Sequence, residues 1–337
     1  MDDILILHNT FGPADDPLYQ SRAGVCDQIE MVEKSCKKLA VKYTILPVEN
    51  LMHLMNLLKE RKEKIIFNLI EEFIGNIEQT CFVPAICQAF RKSCTGSGTS
   101  ALAMAQNKFQ TKAILAASGI DCPAGVVVAV GTSLNPNLLN KGTYILKPAF
   151  SDASEGITID CVVRLPAENE KAKLLVEQMH GRFNQPVIVE QFIAARELNV
   201  SLIERNGKVN VMPIAEIDFS AFSDNQPRII DYAAKWQKDS FAYNNTPRKI
   251  PADLNDDLRK KIEQIAVSVW QAVVCRDYIR VDFRLDEDNK PYVLEVNPNP
   301  DISADAGFAA AIQTAGIAYE QFVATILENT KQRLIGV

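Results

Sequence analysis

Residues 279–297, "IRVDFRLDEDNKPYVLEVN", constrain the fold more than any other stretch of the chain. Ile279, Val281, Phe283 and Leu285 alternate with Arg280, Asp282 and Arg284, and in a strand alternate residues share a face. The turn "EDNK" joins this run to "PYVLEVN", so an antiparallel hairpin is expected. If residues 286 and 291 close it, Asp282 faces Glu295, Arg280 faces Asn297 and Arg284 faces Val293. Directly paired residues point to the same side of a sheet. Arg280, Asp282, Glu295 and Asn297 then form one polar cluster, with Leu294 and Val296 on the opposite face. A slip of one residue would scatter the cluster. Two opposed carboxylates repel and are costly to bury, so something must compensate. Two readings fit. In one, Asp282, Glu295 and the Asn297 amide oxygen hold a hard divalent cation, whose shell is completed by phosphates and water, with Arg280 stabilising negative charge. In the other, this is an exposed polar face laced by Arg–Asp salt bridges.

A chain of 337 residues has room for roughly two or three domains and needs no disulfide staple. The net charge of −6 comes without any concentration of Lys and Arg, which argues against nucleic acid as a partner. The start "MDDILIL" lacks the basic and apolar regions of a secretory signal. No apolar run approaches ~20 residues, so no membrane partner is expected and the location expected is cytoplasmic. None of the eight cysteines forms a C-x-x-C pair; most read as small buried hydrophobes in a reducing compartment. His8, His53 and His180 form no metal pattern.

The first third alternates strands ("DILILH", "KYTILPV", "KIIFNLI") with helices ("GVCDQIEMVEKSCKKLA", "ENLMHLMNLLKERK", "TCFVPAICQAF"). This β-α-β-α rhythm predicts an α/β fold with a parallel sheet. The loop after the first strand, "NTFGPADDPLYQSRAG", leaves a strand's carboxyl end, where ligands bind in open α/β sheets. "TGSGTSALAMAQNKFQTKAILAASG" reads as a Gly-rich turn and one long helix, with Thr99 or Ser100 as N-cap and Gly119 at the end. From 143 to 217 the chain is strand-rich: "TYILKPA", "GITIDCV", "PVIVEQFI", "ELNVSLIE" and "KVNVMPIAEI", with Asn206-Gly207 a hairpin turn. The long polar segment 219–250 reads as a functional loop. A helix over "LNDDLRKKIEQIAVSVWQAVV" follows, with Leu258, Ile262, Ile265, Val269 and Val273 on its apolar face. Lys147, at the end of an apolar strand, either reaches a phosphate or is solvated. Glu190 and Glu197 flank a turn and suit ribose hydroxyls, or are simply exposed.

In order along nearly the whole chain, these pieces resemble the ATP-grasp superfamily, and within it the D-alanine–D-alanine ligase family. The resemblance implies an ATP-grasp fold with an N-terminal parallel-sheet domain. Its expected divisions are an α/β substrate domain over 1–100, a central module with a phosphate-covering loop over 101–198, and a C-terminal module with the metal-binding hairpin over 199–337. "RVDFRLDEDNKPYVLEVNPNP" is similar to the family's metal hairpin, which implies Asp282, Glu295 and Asn297 on magnesium and Arg280 on the transition state. "ILKPAFSDASEGI" resembles the lysine and covering loop, implying Lys147 and Ser154 on phosphate. "ALAMAQNKFQTK" implies Lys108 on ATP; "VEQFIAARE" implies Glu190, Gln191, Phe192 and Ile193 at the adenine and Glu197 at the ribose; "DYAAKW" implies Lys235 beside the nucleotide. The cofactors implied are ATP and Mg2+, two ions, with Mn2+ an alternative. The partners implied are a small carboxylate and an amine, with a homodimer left open.

The chain departs from that pattern at the substrate end. Ala153 stands where the family has a substrate-touching serine, Trp236 for a tyrosine, Asp301 for a glycine and Ala306 for the serine that holds a carboxylate. "LYQSRAG", with Arg22, occupies the place of a Glu-bearing motif. Trp236, Asp301 and Arg22 are therefore the substrate candidates, and D-alanine is not the expected substrate. The function expected is an ATP-dependent carboxylate–amine ligase that works through an acyl phosphate. A phosphotransferase stopping after γ-phosphate transfer, or a non-catalytic ATP-binding module, are the alternatives.

Overall fold

The strand-and-helix rhythm of the first third becomes a parallel sheet of β1 (Ile4–Asn9), β2 (Tyr43–Val48), β3 (Ile65–Leu69) and β4 (Ser93–Cys94), in the order β2-β1-β3-β4. The structure, a computed structural model, describes residues 3–16, 19–74, 77–151, 154–223 and 225–335. Ile4 to Leu7 are fully buried because helices cover both faces, as parallel strands require. One face carries Val25–Lys38 and, from the far end of the chain, Gly307–Thr314 and Tyr319–Ile335; Phe308, Phe322 and Ile326 pack there with Ile6 and Phe67. Each such side chain contributes about 1.5–3 kcal/mol by burial. The other face carries Leu51–Glu60 and Val83–Ala89. A short helix, Tyr19–Ala23, lies inside the segment expected to be loop.

The next sheet is antiparallel, β5 (Gly125–Val128), β6 (Gly142–Pro148), β7 (Val162–Leu165) and β8 (Val187–Gln191), in the order β5-β8-β6-β7, with helix Asn169–Phe183 on one face. The third contains β9 (Arg196–Arg205), β10 (Lys208–Val211), β11 (Ala215–Ile217), β12 (Arg248–Lys249), β13 (Tyr278–Leu285) and β14 (Pro291–Asn297). Its order is β12-β11-β9-β13-β14, with β10 also beside β9. Helix Asp256–Val273 and the residues Ala101, Leu115 and Ile120 fill its core. Asn206 and Gly207 have φ of 52° and 69°, the left-handed pair that a two-residue hairpin turn needs, and Arg205 pairs with Lys208.

Several local expectations are corrected. The single helix expected after residue 98 is two, Thr99–Gln106 and Lys108–Ala117. Asn107 breaks it because its side chain accepts from the N–H groups of Phe109 and Gln110, capping the second helix. The first helix starts from Gly98 with no side-chain cap, so neither Thr99 nor Ser100 serves. "GITIDCV" carries a 3-10 turn, Ile159–Cys161, and its strand starts only at Val162, while "KVNVMPIAEI" is two strands. On helix Asp256–Val273 the buried face is Ile262, Ala266, Val269, Trp270 and Val273, leaving Leu258 and Ile265 half-buried. The segment 219–250 carries short helices Tyr232–Trp236 and Phe241–Asn244 as well as β12.

In the β13–β14 hairpin Arg280 pairs with Asn297 and Asp282 with Glu295, as the alternation requires. Beyond Asp282 the register shifts: Phe283 pairs with Val293 and Arg284 with Tyr292, not with Val293. Leu294 is the extra residue of a bulge. It does not back the cluster but is half-buried at the cleft wall, while Val296 is in the core. Among the described residues no helix is long and apolar enough to cross a membrane. All eight cysteines are unpaired, and six are buried.

Candidate active site

One cleft of about 780 Å³ opens where the three sheets meet, and every candidate side chain named from the sequence lines it. Strand β13 is its floor. Arg280 lays its guanidinium on Asp282 two-pronged, Nε to Oδ1 at 2.7 Å and Nη2 to Oδ2 at 2.8 Å. Asn199, opposite Asp282 on β9, donates to Oδ1 at 2.8 Å, and Asn297 donates to Oδ2 at 3.1 Å. Burial alone would lower the Arg280 pKa, but Asp282 and Glu295 raise it above its ordinary value. Asp282 is 8% exposed, so the Arg–Asp pair lies on the floor of a cleft and not on an open sheet face.

Glu295 faces the same space. Lys108, the first residue of its helix, places Nζ 3.2 Å from Glu295 Oε1 and also donates to the Ser151 carbonyl. Burial would raise the Glu295 carboxyl, but Lys108, Lys235, Lys147 and Arg280 together hold it at about 2. Lys235 sits on the helix that Asp231 caps through the Ala234 N–H. Burial, with Arg280 nearby, pushes its pKa below the usual lysine value. Among the described residues no three His, Cys, Asp or Glu gather as a metal set. The hairpin instead brings two carboxylates and one amide, all hard oxygen donors, to one point. That set fits a divalent cation sharing its shell with phosphate oxygens.

The wall above is built by β6 and β8. Glu190, 1% exposed, lies between two lysines: Lys147 Nζ is 2.6 Å from Oε1, and Lys112 bonds Oε2. Burial pushes the Glu190 carboxyl up, and the two lysines outweigh it and hold it below the usual range. Burial brings Lys112 down to about 8. Gln191 is exposed and Phe192 and Ile193 are half-buried at the cleft edge. Glu197 pairs through Oε2 with Arg284 Nη1 at 2.8 Å, and burial raises its carboxyl. Ser154 donates to the Ile230 carbonyl at 2.8 Å, and the Tyr232 N–H donates to the Ile157 carbonyl at 3.2 Å. These bonds stitch the covering loop to segment 219–250. Asp152 and Ala153 of that loop lie outside the described residues.

At the substrate end Arg22, 7% exposed, bonds Asp16 at 2.7 Å and Glu72. Burial would lower its pKa, and these two acids raise it. Asp301 accepts from the Ser303 N–H at 2.8 Å, and burial lifts its carboxyl above the usual value. Trp236 and Ala306 line the same end. Lys112, Asn199, Arg248 and Arg284 line or support the site and were not singled out from the sequence. Spacing could have found three of them. Lys112 is four residues from Lys108 on one helix face. Asn199 and Arg284 are two residues from Glu197 and Asp282, on the same strand faces.

The D-ala D-ala ligase C-terminus family matches residues 143–328. The D-alanine–D-alanine ligase of Bordetella avium is 31% identical over 242 residues, 71% of this chain and 70% of the relative. The uncharacterized protein y4sG of Sinorhizobium fredii is 29% identical over 276 residues, 82% of this chain and 77% of the relative. Among solved structures, the D-alanine–D-alanine ligase of Bacillus anthracis complexed with ATP superposes with a TM-score of 0.75 at 18% identity, covering 100% of this chain and 99% of that one. The chain thus belongs to the D-alanine–D-alanine ligase family and has the ATP-grasp fold.

Proposed function

We propose that this protein is an ADP-forming carboxylate–amine ligase that joins small acids other than D-alanine through an acyl phosphate. The observation that carries the reading is the convergence on one cleft of Arg280, Asp282, Glu295 and Asn297 with Lys108, Lys147 and Lys235. Asp282, Glu295 and Asn297 would hold magnesium, which supplies charge neutralisation at the phosphates. Lys108 and Lys147 bind the nucleotide's phosphate oxygens; Glu190, Gln191, Phe192 and Ile193 border the adenine, and Glu197 takes the ribose. The substrate carboxylate attacks the γ-phosphorus and ADP leaves. The amine then attacks the acyl carbon and phosphate leaves. Arg280 stabilises the negative charge of both steps, and Lys235 adds a second positive charge close by. Such chemistry is mostly positioning and charge stabilisation. Ser154 and Tyr232, by closing the covering loop onto segment 219–250, keep water from the acyl phosphate. At the substrate end Arg22, Trp236 and Asp301 replace groups suited to D-alanine, which supports a different amine and acid.

The test is a screen of amino acids and small carboxylates, singly and in pairs, for ADP and phosphate release. A ligase releases phosphate only when a carboxylate and an amine are both present. A stable phosphorylated product from one substrate alone would contradict the reading and point to phosphoryl transfer.

A further inference from the structure

Arg284 is the most enclosed cation on the cleft floor, 2% exposed, and no step of the proposed reaction uses it. It stands on the same face of β13 as Arg280 and Asp282 and opposite Glu197 on β9. All three nitrogens of its guanidinium are committed to different elements. Nη1 donates to Glu197 Oε2 at 2.8 Å, Nε to the Ile193 carbonyl at 2.7 Å and Nη2 to the Arg228 carbonyl at 2.6 Å. Its plane is also flanked by aromatic rings, with Cζ 5.3 Å from the centre of Phe192 and 5.8 Å from that of Phe219. A rigid, planar fork holds its donors in one plane at fixed angles, whereas the three donors of an ammonium rotate on a flexible stem. The arrangement fixes Oε2 of Glu197, a residue that lines the cleft, and engages only one of its two carboxylate oxygens. It also ties the Phe192 and Ile193 edge to the segment bearing Phe219 and Arg228.

We propose that Arg284 is a positioning residue that aims Glu197 at the nucleotide's sugar and so sets a preference for ribose over deoxyribose. The inference rests on the reading of Glu197 as the ribose acceptor, and it can be tested without any acyl or amine substrate. Calorimetry with ATP, 2′-deoxy-ATP and 3′-deoxy-ATP in magnesium reads the preference directly. ATP is expected to bind at least about tenfold more tightly than either deoxynucleotide, the size of one hydrogen bond to a charged acceptor. Glu197→Gln is expected to lose most of that preference. Arg284→Met, which keeps Glu197, is expected to lose it to the same extent. Arg284→Lys, which restores a charge but not the fork, recovers only part. The double variant Arg284→Met/Glu197→Gln is expected to lose no more than either single variant, because both act on one contact. A merely structural role would weaken all three nucleotides equally. Arg284→Met binding every nucleotide more weakly but with the wild-type ratio would overturn the inference and leave Glu197 as the ribose acceptor. An unchanged ratio in Glu197→Gln would remove that assignment and the inference with it. If Arg284→Met fails to fold with Glu197 left unpaired, Arg284→Lys carries the test, and a full wild-type ratio in it overturns the inference.

Discussion

Glu190 holds one negative charge between Lys112 and Lys147, so the buried trio keeps one net positive charge beside the cleft. That surplus attracts an anion such as a triphosphate, and it depends on Lys112 staying protonated. With burial holding Lys112 at about 8, the charge is present below that pH and lost above it. ATP affinity is therefore expected to fall as pH rises through about 8. Lys112→Arg, whose guanidinium does not titrate there, is expected to move the fall to higher pH; binding curves at pH 6.5 to 9.5 check this, each value being about half a unit apart. The two opposed acids of the hairpin make a second prediction. Asp282→Asn and Glu295→Gln are expected to abolish turnover while leaving circular dichroism and melting cooperativity intact, since each replaces an anionic oxygen donor of the proposed metal set by a neutral amide of nearly the same shape. An active Glu295→Gln enzyme would argue against the metal role.

At the level of elements, Asn107 matters more than its position between two apolar runs implies. By capping Lys108–Ala117 it sets Lys108 at the helix start, aimed at Glu295 and the Ser151 carbonyl. Asn107→Ala is expected to cost about 1 kcal/mol in chemical denaturation and to weaken ATP binding as well, because Lys108 loses its anchored turn. The alternation in β13 and β14 made the pairings Arg280–Asn297 and Asp282–Glu295 legible, because register follows from which face is buried. The bulge at Leu294 was not legible: the Val293 N–H leaves the ladder for the Asp121 carbonyl, a contact from a distant segment. The helix break was within reach, since an Asn can cap as well as fill a helix, but apolar residues on both sides masked it. No local sign in the sequence indicates that Glu190 meets Lys112 and Lys147, because both lysines come from other elements. The parallel sheet was readable from its strand–helix rhythm. That helices 307–335 cover its face was not, since nothing local marks which distant sheet a helix will meet.

For the molecule as a whole, segment 219–250 ties the covering loop to the cleft floor. Arg284 holds its Arg228 carbonyl, Ser154 holds its Ile230 carbonyl, and Lys235 and Trp236 face inward from it. On the proposed reading a bound nucleotide would bridge that segment and the floor, so ATP with magnesium is expected to slow amide hydrogen exchange across 219–250 by at least about tenfold relative to the free protein. Ser154→Ala is expected to lose part of that protection. On the proposed reading, β13 and β14 aim acids and an amide together at a cation that steadies the triphosphate. Calorimetric titration of ATP with and without magnesium tests it most directly. Saturable binding that requires magnesium, and that is weakened in Glu295→Gln, is the predicted result; ATP binding of equal strength without the metal, or none under either condition, would contradict it.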